Sequence, residues 1–172
     1  MTLSMYQAAI PPLIRSLSNL ITILEKGAAY AETKKIEPAV LIGTRLYPDM
    51  FPLSKQIQIA SDIARRGIAR LGDVEAPKME DNETTFPELI NRLQETINYL
   101  KTFTPEQIDG TESRSISLPI GEETLSFNGQ SFLLYFILPN VYFHVTTAYD
   151  ILRHCGVEIG KRDYLGSPED LA

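Results

Sequence analysis

Two histidines, a glutamine on an apolar stripe and a few charged residues near chain breaks are the side chains here whose types and spacing could do chemistry. Both histidines, His144 and His154, lie between Pro139 and Gly166. Imidazole titrates near neutral pH, so either could act as an acid, a base or a metal ligand. Ten residues of one helix separate them by about 15 Å, which rules out a shared metal within one chain. A two-histidine helical site needs an i, i+3 or i, i+4 pair, but Thr147 and Ala148 occupy those places after His144. His144 instead shares a helix face with Val141, Ala148, Ile151 and Cys155. That pattern reads as a core histidine satisfied by a hydrogen bond, or as a lone ligand or acid-base residue lining a cavity. His154 follows Asp150 by one turn, the spacing of a surface ion pair.

Gln56 aligns with Ala60, Ile63 and Gly67 on a core-facing stripe. A buried amide needs partners, and His144, Tyr149 or Asn140 can supply them from the last helix. Asp62 has two readings: a surface pair with Arg65 or Arg66, or an inward carboxylate facing His144. Arg45 and Asp49 flank the break Tyr47-Pro48 and are spaced for an ion pair that pins it, with substrate binding as the other reading. Lys161, Arg162 and Asp163 follow Gly160 without phosphate-loop spacing. They read as a solvated or salt-bridged tail, or as a segment whose Tyr164 and Leu165 dock back and close one end of the bundle. Ser126 and Ser131 lack a nucleophile-elbow pattern. Cys155 falls at a helix C-terminus, the wrong end to stabilise a thiolate.

The elements that must position these residues are mostly helical. Leu13, Leu17, Leu20, Ile21 and Leu24 repeat at helical spacing, giving a helix from about Ser4 to Ala31. Pro11 and Pro12 inside it predict a kink or a separate first segment. Pro38 opens a short helix to about Leu46, residues 47–52 break it, and Pro52 starts a long helix to about Leu71 with Gly72 as its stop. Residues 73–84 are acidic and carry no apolar period, which reads as a crossover loop. Thr85-Phe86-Pro87-Glu88 is a capping box ahead of the stripe Phe86, Leu89, Leu93, Ile97, Leu100, a helix ending near Thr102. Residues 104–108 suit one further turn. Between Ser115 and Phe127 the period falls to two, a small hairpin turning at Gly121-Glu122-Glu123. It must lean on the helices, because two strands alone are marginal. A last helix begins near Gln130, bends or restarts at Pro139 and ends near Cys155, with Gly156 as a left-handed terminator. The expected fold is all-α in the main: a four-helix antiparallel bundle in a single domain over residues 1–172, with a β-hairpin inserted before the last helix.

Composition narrows the function classes. The 172 residues carry a net charge of −6, and Lys and Arg are scattered, so a nucleic-acid partner is not expected. One cysteine excludes an intrachain disulfide and a cysteine-based zinc site. The most apolar run, residues 132–145, is too short to span a bilayer and is broken by Pro139, Asn140 and His144. No signal-peptide pattern opens the chain. A cytoplasmic protein with no membrane partner is expected.

Three groups of residues together resemble the DUF1993 family. They are Arg45-Leu46-Tyr47-Pro48-Asp49-Met50-Phe51-Pro52-Leu53 with Gln56; Pro139-Asn140 with Tyr142-Phe143-His144, Thr147-Ala148-Tyr149 and Leu152-Arg153-His154 with Gly156; and Gly160-Lys161-Arg162-Asp163 with Gly166. That family is similar to the DinB/YfiT-like helical bundles. The resemblance implies a four-helix bundle with a long second crossover. In the wider superfamily many members hold a divalent metal with three histidines, one from the second helix and two from the fourth, four residues apart. The resemblance places His144 in the fourth-helix pair, with Ala148 where its mate would stand. Gln56 or Asp62 is the nearest substitute on the second helix. This departure removes the metal set, so no cofactor is expected, a divalent metal being the one candidate.

Three functions then compete. The first is a non-metal small-molecule binding or degenerate enzyme-like bundle, with Arg45, Asp49, Gln56, Asn140, Tyr142, His144 and Tyr149 lining a cavity. The second is a metal-dependent hydrolase or transferase built on His144 with Asp62 or Gln56. The third is an interaction protein, a homodimer through an exposed face carrying Phe132, Leu133, Phe136 and Ile137.

Overall fold

The computed structural model describes residues 3–167. Its first helix, α1 (Met5–Lys34), opens on a capping box between Ser4 and Gln7. It runs through Pro11 and Pro12 as one helix where the sequence predicts a kink or a break. Ala9, Ile10, Leu13 and Leu17, on both sides of the prolines, are all buried. Their burial outweighs the roughly 3 kcal/mol that an interior proline costs. The Asp109 carboxylate adds a cap from outside, accepting from the Tyr6 amide at 2.7 Å.

A short helix α2 (Pro38–Ile42) stops earlier than the Leu46 expected. The break follows, and α3 (Leu53–Leu71) begins after Pro52. Gly72 ends it as anticipated, although the left-handed residue is Asp73, at φ 56°. The crossover leads to α4 (Phe86–Leu100), whose capping box forms as the sequence spells it. Thr85 Oγ1 accepts from the Glu88 amide, and Glu88 Oε2 accepts from the amides of Thr84 and Thr85. All five residues of the expected stripe, Phe86 to Leu100, are buried. One turn, α5 (Pro105–Ile108), leads to the hairpin.

Strands β1 (Ser115–Ile120) and β2 (Glu123–Asn128) pair antiparallel, with Ile116 opposite Phe127 and Leu118 opposite Leu125. The hairpin leans as required: Phe127 sits 5.5 Å from Phe132 and 5.8 Å from Phe136, ring centre to ring centre. The last helical region has three parts: α6 (Gly129–Phe132), a π-helical turn over Leu133–Ile137, and α7 (Leu138–His154). The wider turn falls just before Pro139, whose ring would crowd the carbonyl of an α-helical turn and which has no N–H to give it. Gly156, at φ 94°, closes α7 in the left-handed conformation glycine tolerates best.

Around one core, α1 packs on α4 and α7, and α3 packs on the same two helices. The residues expected to form a dimer face are spent inside this core. Phe132, Leu133 and Ile137 are buried, and Phe136 packs half-buried against them. The π turn directs them inward and leaves Leu134 and Tyr135 outside. Among the described residues no helix is long and apolar enough to cross a membrane.

The tail docks, along the middle of α1 rather than across an end of the bundle, and is salt-bridged as well. Helix α8 (Lys161–Leu165) lies on α1. Arg15 donates to the Leu165 carbonyl at 2.6 and 2.9 Å, Asn19 to the Tyr164 carbonyl at 2.9 Å, and Lys26 to the Asp163 carboxylate at 2.6 Å. The Lys26 bond, with the Gly160 amide, outweighs burial and holds the Asp163 carboxyl below its ordinary range.

Candidate functional site

The packing of α7 on α3 brings His144 to Gln56, with imidazole Nδ1 2.6 Å from the amide Oε1. The chain break before α3 completes the arrangement: Gln56 Nε2 donates to the Phe51 carbonyl at 3.0 Å. This order fixes the protons. A carbonyl can only accept, so the NH2 end of the Gln56 amide must face Phe51. Its oxygen therefore faces the imidazole, and Nδ1 must carry the hydrogen. In the neutral ring Nε2 is then a lone-pair acceptor, and it has no partner among the described residues. Burial lowers the His144 pKa below its ordinary 6.5, because desolvation disfavours the cation. Phe143 sets an aromatic edge against the ring at 5.2 Å and 87°. The arrangement can accept a hydrogen bond or a proton at Nε2 from an O–H, N–H or S–H group.

The other expected site residues do not gather there. Asp62 turns to the arginines: 2.6 Å to Arg65, 2.8 Å to Arg92 and 4.0 Å to Arg66. This is the pairing with Arg65 and Arg66, extended by a third partner, and the reading of Asp62 as a carboxylate facing His144 is withdrawn. Arg45 pins the break, but through the carbonyls of Pro48 and Met50 at 3.4 and 3.1 Å. No ion pair with Asp49 forms among the described residues, because the carbonyls exposed by the turn lie closer to the guanidinium. Asn140 is occupied at the π turn, donating to the Phe136 carbonyl at 2.7 Å. Tyr142 lines a groove of about 260 Å³ with Pro12, Arg15, Asn19 and Tyr164, and burial raises its hydroxyl pKa. Tyr149 stands edge-on to Tyr164 at 6.2 Å. His154 and Asp150 are both exposed and form no ion pair among the described residues.

One ionic centre escaped the sequence reading. The Arg92 side chain is 2% exposed, yet it meets Asp62, Asp81 at 2.9 Å, Glu83 at 2.8 Å and the Glu80 carbonyl at 3.0 Å. Burial alone would lower its pKa, but the Glu83 hydrogen bond and the three carboxylate charges more than offset that and raise it. Lys55 joins at Asp81 and Gln58 at Glu83. A signal was present: Arg92 sits three residues after Leu89 on the buried stripe, downstream of an acidic loop.

The donor set at His144 does not fit the three-histidine metal site of the superfamily. It offers one imidazole and one amide, and Ala148, a turn later, is fully buried. Among the described residues no three His, Cys, Asp or Glu side chains are grouped to hold a metal.

With this geometry in view, comparison places the chain. The family described as Domain of unknown function (DUF1993) matches residues 5–165. The chain belongs to the DUF1993 family. The crystal structure of a DinB family member protein from Shewanella denitrificans is 40% identical in sequence, with a TM-score of 0.85. The match covers 94% of this chain and 92% of that one. Among curated proteins none matches. The DUF1993 resemblance read from residues 45–56, 139–156 and 160–166 therefore holds, and the DinB-like helical architecture with it.

Proposed function

We propose that this DUF1993 chain binds a small molecule at His144 without a metal, using Nε2 as the acceptor for a donor group on the ligand. The observation that supports this most is the chain of contacts from the Phe51 carbonyl through Gln56 to Nδ1. It fixes one tautomer and leaves the opposite nitrogen basic. The helix contacts fit an antiparallel four-helix bundle in a single domain, the architecture on which such a site rests. Of the seven residues expected to line a cavity, His144 and Gln56 carry this reading; Arg45 and Asn140 have other partners, as does Asp62. A metal-dependent hydrolase or transferase is the weaker reading, since a lone imidazole with an amide is a poor zinc set.

The test is a titration with small alcohols, amides and thiols, followed through the His144 imidazole resonances. Binding that moves those resonances and disappears in His144→Ala supports the reading. Ligands that bind wild type and His144→Ala equally would overturn it. Stoichiometric metal in protein purified without a histidine tag, lost in His144→Ala, would replace it with the metal reading.

A further inference from the structure

A cleft of about 450 Å³ lies between α3 and the crossover loop, well apart in sequence from the His144 pair. The chain is net acidic, yet the α3 side of this cleft is cationic. Arg66 and Arg70, one turn apart, share a helix face there, with Arg65 beside them and Lys78 from the loop. The single carboxylate on the helix side, Asp62, is already shared between Arg65 and Arg92. Arg65 lines the cleft as well, but its side chain is 3% exposed and bound to Asp62, and its Nε–H is buried without a hydrogen-bond partner, closed to solvent. The Tyr99 hydroxyl, close enough for the Arg65 charge to act on it, is buried and unpartnered too. Arg66 remains 62% exposed, 4.0 Å from Asp62.

The loop side has the opposite character. Val74, 43% exposed, lies with Ala76, Pro77 and Met79 along the cleft. Glu75 and Glu80 also come from the loop, which places an anion on the helix side and disfavours a polyanion. We infer that this cleft binds a small organic monoanion, its carboxylate on the Arg66–Arg70 face and a short apolar body against the loop. Guanidinium is well matched to such a group, because its fork of donors meets a carboxylate with two parallel hydrogen bonds.

Octanoate and inorganic phosphate, titrated separately into the full chain, test this by NMR of the arginine Nε–H groups and of the amides of residues 74–79. Saturable octanoate binding that shifts Arg66 Nε–H and the loop amides is expected. In the double variant Arg66→Ala, Arg70→Ala, which removes exposed Arg66 and half-buried Arg70 with its bond to the Ser117 carbonyl, it should weaken at least about tenfold, the size of one charge-assisted contact. Binding in His144→Ala should match wild type, which separates this site from the one proposed above. No saturable octanoate shift, or an unchanged affinity in the double variant, would overturn the inference. Phosphate binding as tight as octanoate, without loop shifts, would also overturn it and mark an adventitious ion only.

Discussion

At the scale of single residues, burial holds His144 neutral and Gln56 sets its tautomer. Burial disfavours its charged form, and the Gln56 oxygen holds the hydrogen on Nδ1. The folded pKa lies below 6.5, so between the two values the unfolded chain binds more protons. Stability from this residue is therefore present above 6.5 and falls as pH drops through that window. Replacing Gln56 with Glu would set a carboxylate against Nδ1–H and favour the imidazolium. Gln56→Glu should raise the His144 pKa above the wild-type value and reverse its part of the pH dependence. Imidazole NMR titration and denaturant midpoints between pH 5 and 7 would show both effects. The need of Gln56 for a partner was legible from its place on an apolar stripe. That His144 would answer, rather than Tyr149 or Asn140, depended on the π turn, which occupies Asn140 elsewhere.

At the scale of elements, the capped helices were readable and their junctions were not. The capping box at Thr85 and the stripe to Leu100 declare α4 through types and spacing alone. The start of α6 rests on something no pattern announces. A Cβ built on Gly129 would lie 2.0 Å from the Thr111 carbonyl oxygen. That oxygen belongs to backbone, so relief requires the hairpin entry to move away from α6. Gly129→Ala should therefore cost at least the upper end of the ~1–3 kcal/mol typical of overpacking. Denaturant unfolding would report it, and a loss below about 0.5 kcal/mol, the size of an ordinary surface change, would refute the contact. Alanine normally favours a helix over glycine, so propensity alone forecasts the opposite sign. The run through Pro11 and Pro12 teaches the same lesson from the other side. Local rules forecast a break, and burial of the residues around the prolines overrides it.

At the scale of the whole molecule, Arg92 joins pieces that sequence leaves unconnected. Its guanidinium ties α4 to α3 through Asp62 and to the crossover through Asp81 and Glu83. The loop looked solvated because its charges show no period; their partner sits 9–11 residues downstream on another element. Burial alone would raise the Asp81 carboxyl, but Lys55 and Arg92 hold it below 3.8. Its contribution is complete above that value and fades as acid protonates the folded group. Arg92→Leu would take the cation from Glu83 and leave Asp62 to Arg65 and Asp81 to Lys55. A broken buried pair costs about 3–5 kcal/mol, and because these carboxylates are partly exposed the lower end is expected. Thermal unfolding would give the loss, with faster amide exchange in residues 80–84 as its local sign. The widened turn at Leu133–Ile137 has a consequence of a different kind. It sets the rotational phase of everything after it. Winding the same residues as a regular α-helix would turn α7 by roughly 100° relative to α6, carrying His144 away from Gln56 and Val145 and Ala148 out of the core. The width of this five-residue turn is thus as much a part of the histidine's address as the histidine itself.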